Sequence, residues 1–191
     1  LHSVTASEIG KVLENSYRAT NIAFIEEWSR FAEKVGVDIF QVIDAIRVRP
    51  THSNIRQPGF GVGGYCLTKD PLLAEISAKT IFNLPDIKFD FCKKAVEVNR
   101  NMPLVTLAQV KQLLGGSIAG KKILLLGVSY RSDVADTRFS PSETFTKAAI
   151  NAGATVILHD PLVHETLLGL EVHKKLPYDE KIDVLVLAVA H

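Results

Sequence analysis

The chain has 191 residues, and 22 lysine and arginine side chains against 21 aspartate and glutamate side chains give a formal net charge of +1. This balance offers no broad attraction to nucleic acid or to an anionic membrane, so we expect neither as a partner. Hydrophobic residues make up 47% of the chain, as in an ordinary globular protein, but the apolar runs are too short to span a bilayer. Two cysteines and the lack of a visible signal segment favour a cytoplasmic location.

The first 50 residues carry two helical patterns. Apolar residues recur at helical spacing over 5–35, with Thr5 and Glu8 as a capping box and Gly36 as the stop. A helix of this length measures about 45 Å, more than a small domain needs, so we expect it to pack against a partner subunit. A second, shorter helix is predicted over 38–46.

Prolines and glycines then interrupt the pattern over 48–70, which we interpret as a long structured loop. Helical spacing returns over 71–79, with Asp70 as the N-cap, and again over 86–114, where Pro103 is expected to kink or split the helix. These elements predict an all-helical domain over residues 1–118.

The composition changes after Gly120, and the remaining pattern is typical of an α/β domain over 119–191. Ser140 and Glu143 form a second capping box that opens a helix to Asn151. Buried strands are predicted at 122–127, 154–158 and 182–189, with a further helical segment between the last two. The fold class is therefore α/β, a helical domain followed by an incomplete Rossmann-like parallel sheet. Because a buried parallel strand normally continues into a crossover helix, we interpret the chain as part of a longer protein.

The glycine-rich segment before the third helix is the first candidate for chemistry. Four glycines fall within six positions, which indicates unusual backbone angles or close approach to a ligand. Cys66 follows at once, near a helix N-terminus and close to Lys69, a setting that favours a reactive thiol. A buried, unreactive Cys66 and a plain capping role for Asp70 are equally compatible with this segment alone.

Two further groups of polar residues are candidates. Lys11 and Asn15 project from one face of the first helix; a solvated polar face is the simpler interpretation, and an oxyanion-stabilising pair is the alternative. The loop after the first strand contains one glycine where a dinucleotide fingerprint needs three, but it carries Arg131 and Arg138 at the ligand-binding edge of the predicted sheet. The six histidines show no metal-ligand spacing, so no metal site is predicted.

Three segments together resemble the UDP-glucose/GDP-mannose dehydrogenase family. They are K-x-x-x-N at 11–15, PGFGVGGYCLTKD at 58–70 and GVSYRSDVADTRFSP at 127–141. The segments at 53–59 and 188–191 look most like the branch that oxidises UDP-N-acetylhexosamines. The resemblance covers essentially the whole chain as given.

The resemblance implies a domain plan and a reaction. It assigns the chain to the central domain, with its long dimer-forming helix, and to part of the C-terminal UDP-binding domain, while the N-terminal NAD-binding domain lies outside it. The implied reaction oxidises the C6 hydroxymethyl group of a UDP-sugar to a carboxylate in two steps, with NAD as the cofactor and a homodimer as the assembly.

The resemblance also implies residue roles. Cys66 is the implied nucleophile, which forms a thiohemiacetal and then a thioester, and Asp70 assists proton transfer or hydrolysis. Lys11 and Asn15 stabilise the oxyanion, and Lys69 lies near the cofactor. The implied substrate-binding residues are Gly61, Gly63, Gly64, Arg138, Arg131 and, across the dimer, Arg49.

Two other functions compete with this one. The chain on its own would be a nucleotide-sugar-binding or dimerisation module without turnover, because it contains no recognisable nicotinamide site. A free-standing hydrolase that uses Cys66 is disfavoured, since no histidine stands at a recognisable spacing from that cysteine.

Overall fold

The computed structural model describes residues 2–177 and 179–191. They divide into two units. The first is formed by residues up to Gly59 together with Cys66–Asn99, and the second by Phe60–Tyr65 together with Arg100–His191. The glycine-rich segment is thus part of the second unit, whereas Cys66, the next residue along the chain, is part of the first.

Helices build the first unit: α1 (Val4–Val35), α2 (Ile39–Arg47), a 3₁₀ turn (Pro50–His52), α3 (Asp70–Thr80) and the beginning of α4 (Asp90–Leu113). Apart from Ile25, the side chains of α1 that are buried in this unit are small or polar, which allows α2 and α3 to pack closely on this face. The predicted succession of helices is confirmed.

Three predicted helix starts are wrong. Ser3 caps α1, because its Oγ accepts the N–H of Ala6 at 3.1 Å, and the supposed capping box lies inside the helix. Helix α3 begins at Asp70, so Lys69 and not Asp70 is its N-cap residue. Helix α4 begins at Asp90 because the Glu75 side chain accepts the N–H of Phe89 at 3.0 Å. Pro103 lies within α4 and does not divide it.

The second unit is built on a four-stranded, all-parallel sheet in the order β3-β2-β1-β4. The strands are β1 (Lys122–Leu126), β2 (Thr155–His159), β3 (Val172–His173) and β4 (Val184–Leu187), and α5 (Pro141–Asn151) connects β1 to β2. Ser140 caps α5 as predicted, by accepting the N–H of Ser142. Strands β2 and β3 follow on one side of β1, whereas β4 lies on its other side. The carboxyl ends of β1 and β4 therefore form the topological switch point, where such sheets bind ligands.

Two predictions for the sheet are wrong. The helical segment expected between the second and third predicted strands is replaced, in the part of it that the structure describes, by turns and the short strand β3. Pro161 and Gly169 explain the difference, since both disfavour a helix interior. The last strand, expected to be fully buried, buries Val186 but exposes Leu185 and Leu187.

Candidate active site and nucleotide-binding loop

A chain of hydrogen bonds connects α1 to the start of α3. Asn15 is 0% exposed, and its Nδ2 donates to Oδ2 of Asp70 at 2.8 Å. Oδ1 of Asn15 accepts from Nζ of Lys11 at 3.2 Å, one helical turn earlier. The second carboxylate oxygen of Asp70 accepts from Nζ of Lys69 at 2.8 Å. The structure therefore brings together four of the residues selected from the sequence, although Asn15 and Asp70 are 55 positions apart.

Cys66 lies in the turn that leads into α3. Its backbone oxygen accepts the N–H groups of Lys69 at 3.3 Å and of Asp70 at 2.9 Å. The residue is exposed and makes no disulfide. The buried Cys66 that the sequence left open is therefore wrong, and an exposed Cys66 one turn before Asp70 is compatible with a nucleophile.

Glu26 is a residue of this unit that the sequence did not single out. It is 6% exposed on α1, pairs with Nε of Arg30 at 3.3 Å and accepts the backbone N–H of Gly59. Burial raises the pKa of this carboxyl, and the positive charge of Arg30 offsets the effect only in part. Glu26 thus anchors the chain to α1 at the point where the glycine-rich segment begins. In the sequence, the only sign of this role of Glu26 is a charged residue among the small residues on one face of α1.

In the second unit, the glycines lie against the loop that follows β1. A Cβ atom on Gly63 would stand 2.5 Å from the backbone oxygen of Phe139 and 2.7 Å from Cβ of Tyr130. The N–H of Gly64 donates to the backbone oxygen of Arg138 at 2.9 Å. Gly61 has φ +116°, a backbone angle that favours glycine. Close packing therefore accounts for Gly63 and Gly64, and the positive φ accounts for Gly61.

Arg138 is held by two neighbours that the sequence did not identify. Nε of Arg138 donates to both carboxylate oxygens of Asp136 at 3.0 Å, and its guanidinium lies 5.0 Å from the centre of the Tyr65 ring. These hydrogen bonds lower the pKa of Asp136 and raise that of Arg138. The spacing of two residues between the carboxylate and the guanidinium is the signal that could have found Asp136.

Arg49 and Arg131 stand apart from these groups. Arg49 is the exposed residue before the 3₁₀ turn of the first unit. Arg131 is exposed in the loop after β1, where its backbone oxygen accepts from Oγ of Ser129 at 3.0 Å.

The residues after β1 do not fit a nicotinamide dinucleotide. The N–H groups of Val128 and Ser129, which would face a pyrophosphate in a dinucleotide-binding turn, donate to Oδ2 of Asp160 at 2.9 and 3.1 Å. Gly127 is the only glycine of the turn, and a Cβ there would collide with Val189. Over residues 2–177 and 179–191, the histidine, cysteine and acidic side chains form no group of three or more that could hold a metal ion.

The fold is that of nucleotide-sugar dehydrogenases. The chain is similar to the crystal structure of NDP-N-acetyl-D-galactosaminuronic acid dehydrogenase from Methanosarcina mazei, with a TM-score of 0.87 and 29% identity over 99% of this chain and 42% of that one. Among curated proteins it is similar to the UDP-N-acetyl-D-mannosamine dehydrogenases of Methanocaldococcus jannaschii and Pyrococcus horikoshii, at 29% and 32% identity. It is covered completely in both comparisons but spans only 42% and 43% of those proteins.

Two family models account for most of the chain. The central domain of the UDP-glucose/GDP-mannose dehydrogenase family matches residues 5–101, and the UDP binding domain of the same family matches residues 124–191. The chain therefore belongs to the UDP-glucose/GDP-mannose dehydrogenase family, which confirms the resemblance found in the motifs. None of the helices in the described part of the chain has the length and apolar character needed to cross a membrane.

Proposed function

We propose that the whole protein is an NAD-dependent UDP-sugar 6-dehydrogenase that oxidises a C6 hydroxymethyl group to a carboxylate in two steps. The observation that carries this proposal is the hydrogen-bonded group of Lys11, Asn15 and Asp70, together with the exposed Cys66 four residues before Asp70 in the chain. The names of the relatives favour a UDP-N-acetylhexosamine, with UDP-glucose as the alternative substrate. The proposed division of labour is a catalytic and dimerising domain at 1–118 and a UDP-sugar-binding domain at 119–191.

In this proposal, each of four side chains has a role. The Cys66 thiolate adds to the carbonyl carbon of the intermediate aldehyde and forms a thiohemiacetal, and the Lys11 ammonium and the Asn15 amide stabilise the oxyanion that develops. At the thioester stage, Asp70 accepts a proton from the attacking water and the Cys66 sulfur leaves. NAD, when bound by a domain outside this chain, would supply the hydride acceptor for both oxidations, from alcohol to aldehyde and from thiohemiacetal to thioester. Lys69 is proposed to lie near that cofactor.

Substrate contacts are proposed for the second unit. Arg138 and Arg131 offer positive charge for the diphosphate, and Gly61, Gly63 and Gly64 shape the backbone beside Arg138. Asp136 occupies the Nε side of the Arg138 guanidinium, so a phosphate would be met by Nη1. Arg49 remains a proposed contributor from the partner subunit.

Replacing the thiol tests the mechanism. In the whole protein, Cys66→Ser should lower the rate of sugar-acid formation by about three orders of magnitude, because a hydroxyl is a far weaker nucleophile than a thiolate. Cys92→Ser is the matched control, since Cys92 is half-buried on α4 and has no proposed role. Both rates are measured by NADH absorbance and by chromatography of the sugar acid. Normal acid formation by Cys66→Ser would exclude the mechanism.

A second function applies to the 191-residue chain by itself. The engaged amides of Val128 and Ser129 favour a module that binds a nucleotide sugar or dimerises without turnover. NADH production by the purified chain would contradict this second proposal.

The homodimer is proposed to form through α1. Large apolar side chains recur on one exposed face of that helix: Ile9, Leu13, Tyr17, Phe24, Trp28, Phe31 and Val35. A contiguous exposed apolar surface of this kind marks an interaction site, and a second copy of the chain is the proposed occupant.

A further inference from the structure

A buried carboxylate joins two loops at the carboxyl edge of the sheet. Asp160, which follows β2, is 0% exposed. Besides its two bonds to the loop after β1, it accepts the N–H groups of Leu162 at 2.9 Å and Val163 at 3.1 Å through Oδ1. Burial alone would raise the pKa of Asp160, but the backbone N–H donors outweigh this effect and lower it.

His191 reaches the same carboxylate from the far side of the switch point. It follows β4, and its side chain is only 8% exposed. Nε2 lies 3.1 Å from both Oδ2 of Asp160 and Oγ of Ser129, and Nδ1 lies 3.1 Å from the backbone nitrogen of Asp133. His191 therefore bridges the end of β2 and two points in the loop after β1.

The donors and acceptors fix one form of the ring. The N–H of Asp133 can only donate, so Nδ1 of His191 is the unprotonated acceptor and Nε2 carries the proton. Oγ of Ser129 donates to the backbone oxygen of Arg131 at 3.0 Å, which leaves its lone pairs to accept from Nε2–H together with Asp160. The neutral Nε2–H tautomer satisfies every bond of this network.

We propose that neutral His191 is a positioning residue that fixes the backbone between Arg131 and Asp133, and with it Arg131, for binding of the nucleotide diphosphate. Through Ser129 the network holds the carbonyl of Arg131, and through Nδ1 it holds the amide of Asp133 two residues later. Asp133 has φ +60°, a conformation that is uncommon for a residue other than glycine, and the His191 bond helps to retain it. This inference rests on the proposed binding of a UDP-sugar by the second unit.

Two substitutions of His191 test the roles of its two ring nitrogens separately. In His191→Asn, Oδ1 can still accept the N–H of Asp133, whereas His191→Gln places an amide near Asp160 and leaves Asp133 without its acceptor. The affinity of the chain for UDP, measured by calorimetry, should fall about fivefold in His191→Gln, the loss of one hydrogen bond, and less than about twofold in His191→Asn. The exposed His164 provides the control variant His164→Gln, which should bind UDP as the wild type does.

A double-mutant cycle distinguishes positioning from general destabilisation. If His191 acts through Arg131, adding His191→Gln to Arg131→Ala should cause no further loss of UDP affinity, since the side chain to be positioned is already gone. Additive losses would overturn the inference, and so would equal UDP affinity of His191→Gln and the wild type. A wild-type chain that fails to bind UDP would instead contradict the proposed function of the second unit, and with it this inference.

Nitrogen NMR of the histidine side chains provides a readout that does not depend on any variant folding. The wild-type protein should show His191 as a neutral imidazole with Nε2 protonated and Nδ1 free at neutral pH. An Nδ1–H tautomer, or an imidazolium at that pH, would overturn the inference because neither can accept the N–H of Asp133.

Discussion

At the scale of single residues, the position of Asn15 has a chemical reason. An amide donates through its nitrogen and accepts through its oxygen, so it can bond a carboxylate on one side and an ammonium on the other. Asn15 does both, with Asp70 and Lys11 as its partners. Neither an acidic nor an apolar residue could connect these two groups, and a buried Asn15 therefore fixes the carboxylate relative to the amine.

Glu26 provides a pH-dependent prediction. Because burial raises the pKa of Glu26 in the folded state, folding favours the protonated carboxyl. The protonated carboxyl stabilises the fold fully below the unfolded pKa of about 4.3, and this stabilisation is lost as pH rises through the folded-state pKa. The unfolding free energy of the wild type, relative to that of Glu26→Gln, should therefore fall as pH rises from about 4 to 7. Urea titrations of both proteins measure it. Glu27→Gln, at the adjacent exposed carboxylate, is the control and should show a smaller dependence; a flat or rising difference for Glu26→Gln would contradict the prediction.

Which site residues the sequence could predict depends on how local their signal is. That Lys11 and Asn15 share a face follows from helical spacing, but the contact between Asn15 and Asp70 has no local signal, since no local pattern links positions 55 apart. Glu26 and Asp136 resemble ordinary surface charges in the sequence, and only the tertiary structure shows one anchoring a backbone amide and the other holding an arginine. The catalytic roles stay predictions.

At the scale of elements, the long periodic helices and the hydrophobic strands could be predicted, because hydrophobic spacing is a strong local signal. Their ends were less predictable, since a cap such as Ser3 or Glu75 is decided by which side chain reaches a free N–H. Strand β3 has only two residues, too few to show a period, and it exists because β2 offers an edge to pair with.

The packing of the glycine-rich segment yields a matched pair of substitutions. Gly63→Ala should lower the free energy of unfolding by about 1–3 kcal/mol, because its Cβ would overlap the backbone oxygen of Phe139, which has little freedom to move. Gly59→Ala should be neutral or slightly stabilising, since a Cβ there meets no atom within 4 Å and φ is not positive. Denaturant titration compares the two. Equal effects would show that segment 60–65 does not pack as described.

At the scale of the whole molecule, α1 has two faces with different tasks. Ala19, Ala23 and Ala32 are buried in the first unit, whereas the large aromatic side chains face outward. The ring centroids of Phe24 and Trp28 are 6.4 Å apart, and those of Trp28 and Phe31 are 6.1 Å apart, so the exposed rings form a continuous row. Hydrophobic spacing predicts the helix but not which face is covered by its own unit, because both faces contain apolar residues.

A charge placed in this row tests the proposed dimer. Trp28 is 51% exposed in the single chain, so Trp28→Glu should leave folding intact but weaken self-association by at least about 30-fold, as expected for the loss of an interface anchor and the burial of a charge. Sedimentation equilibrium should show the wild type at about twice 21.0 kDa and the variant near 21.0 kDa. Lys34→Gln, which also makes the chain one unit more negative but at an exposed position outside the row, should stay dimeric. A monomeric wild type, or a Trp28→Glu variant that dimerises as tightly, would show that the apolar face of α1 is not the dimer interface.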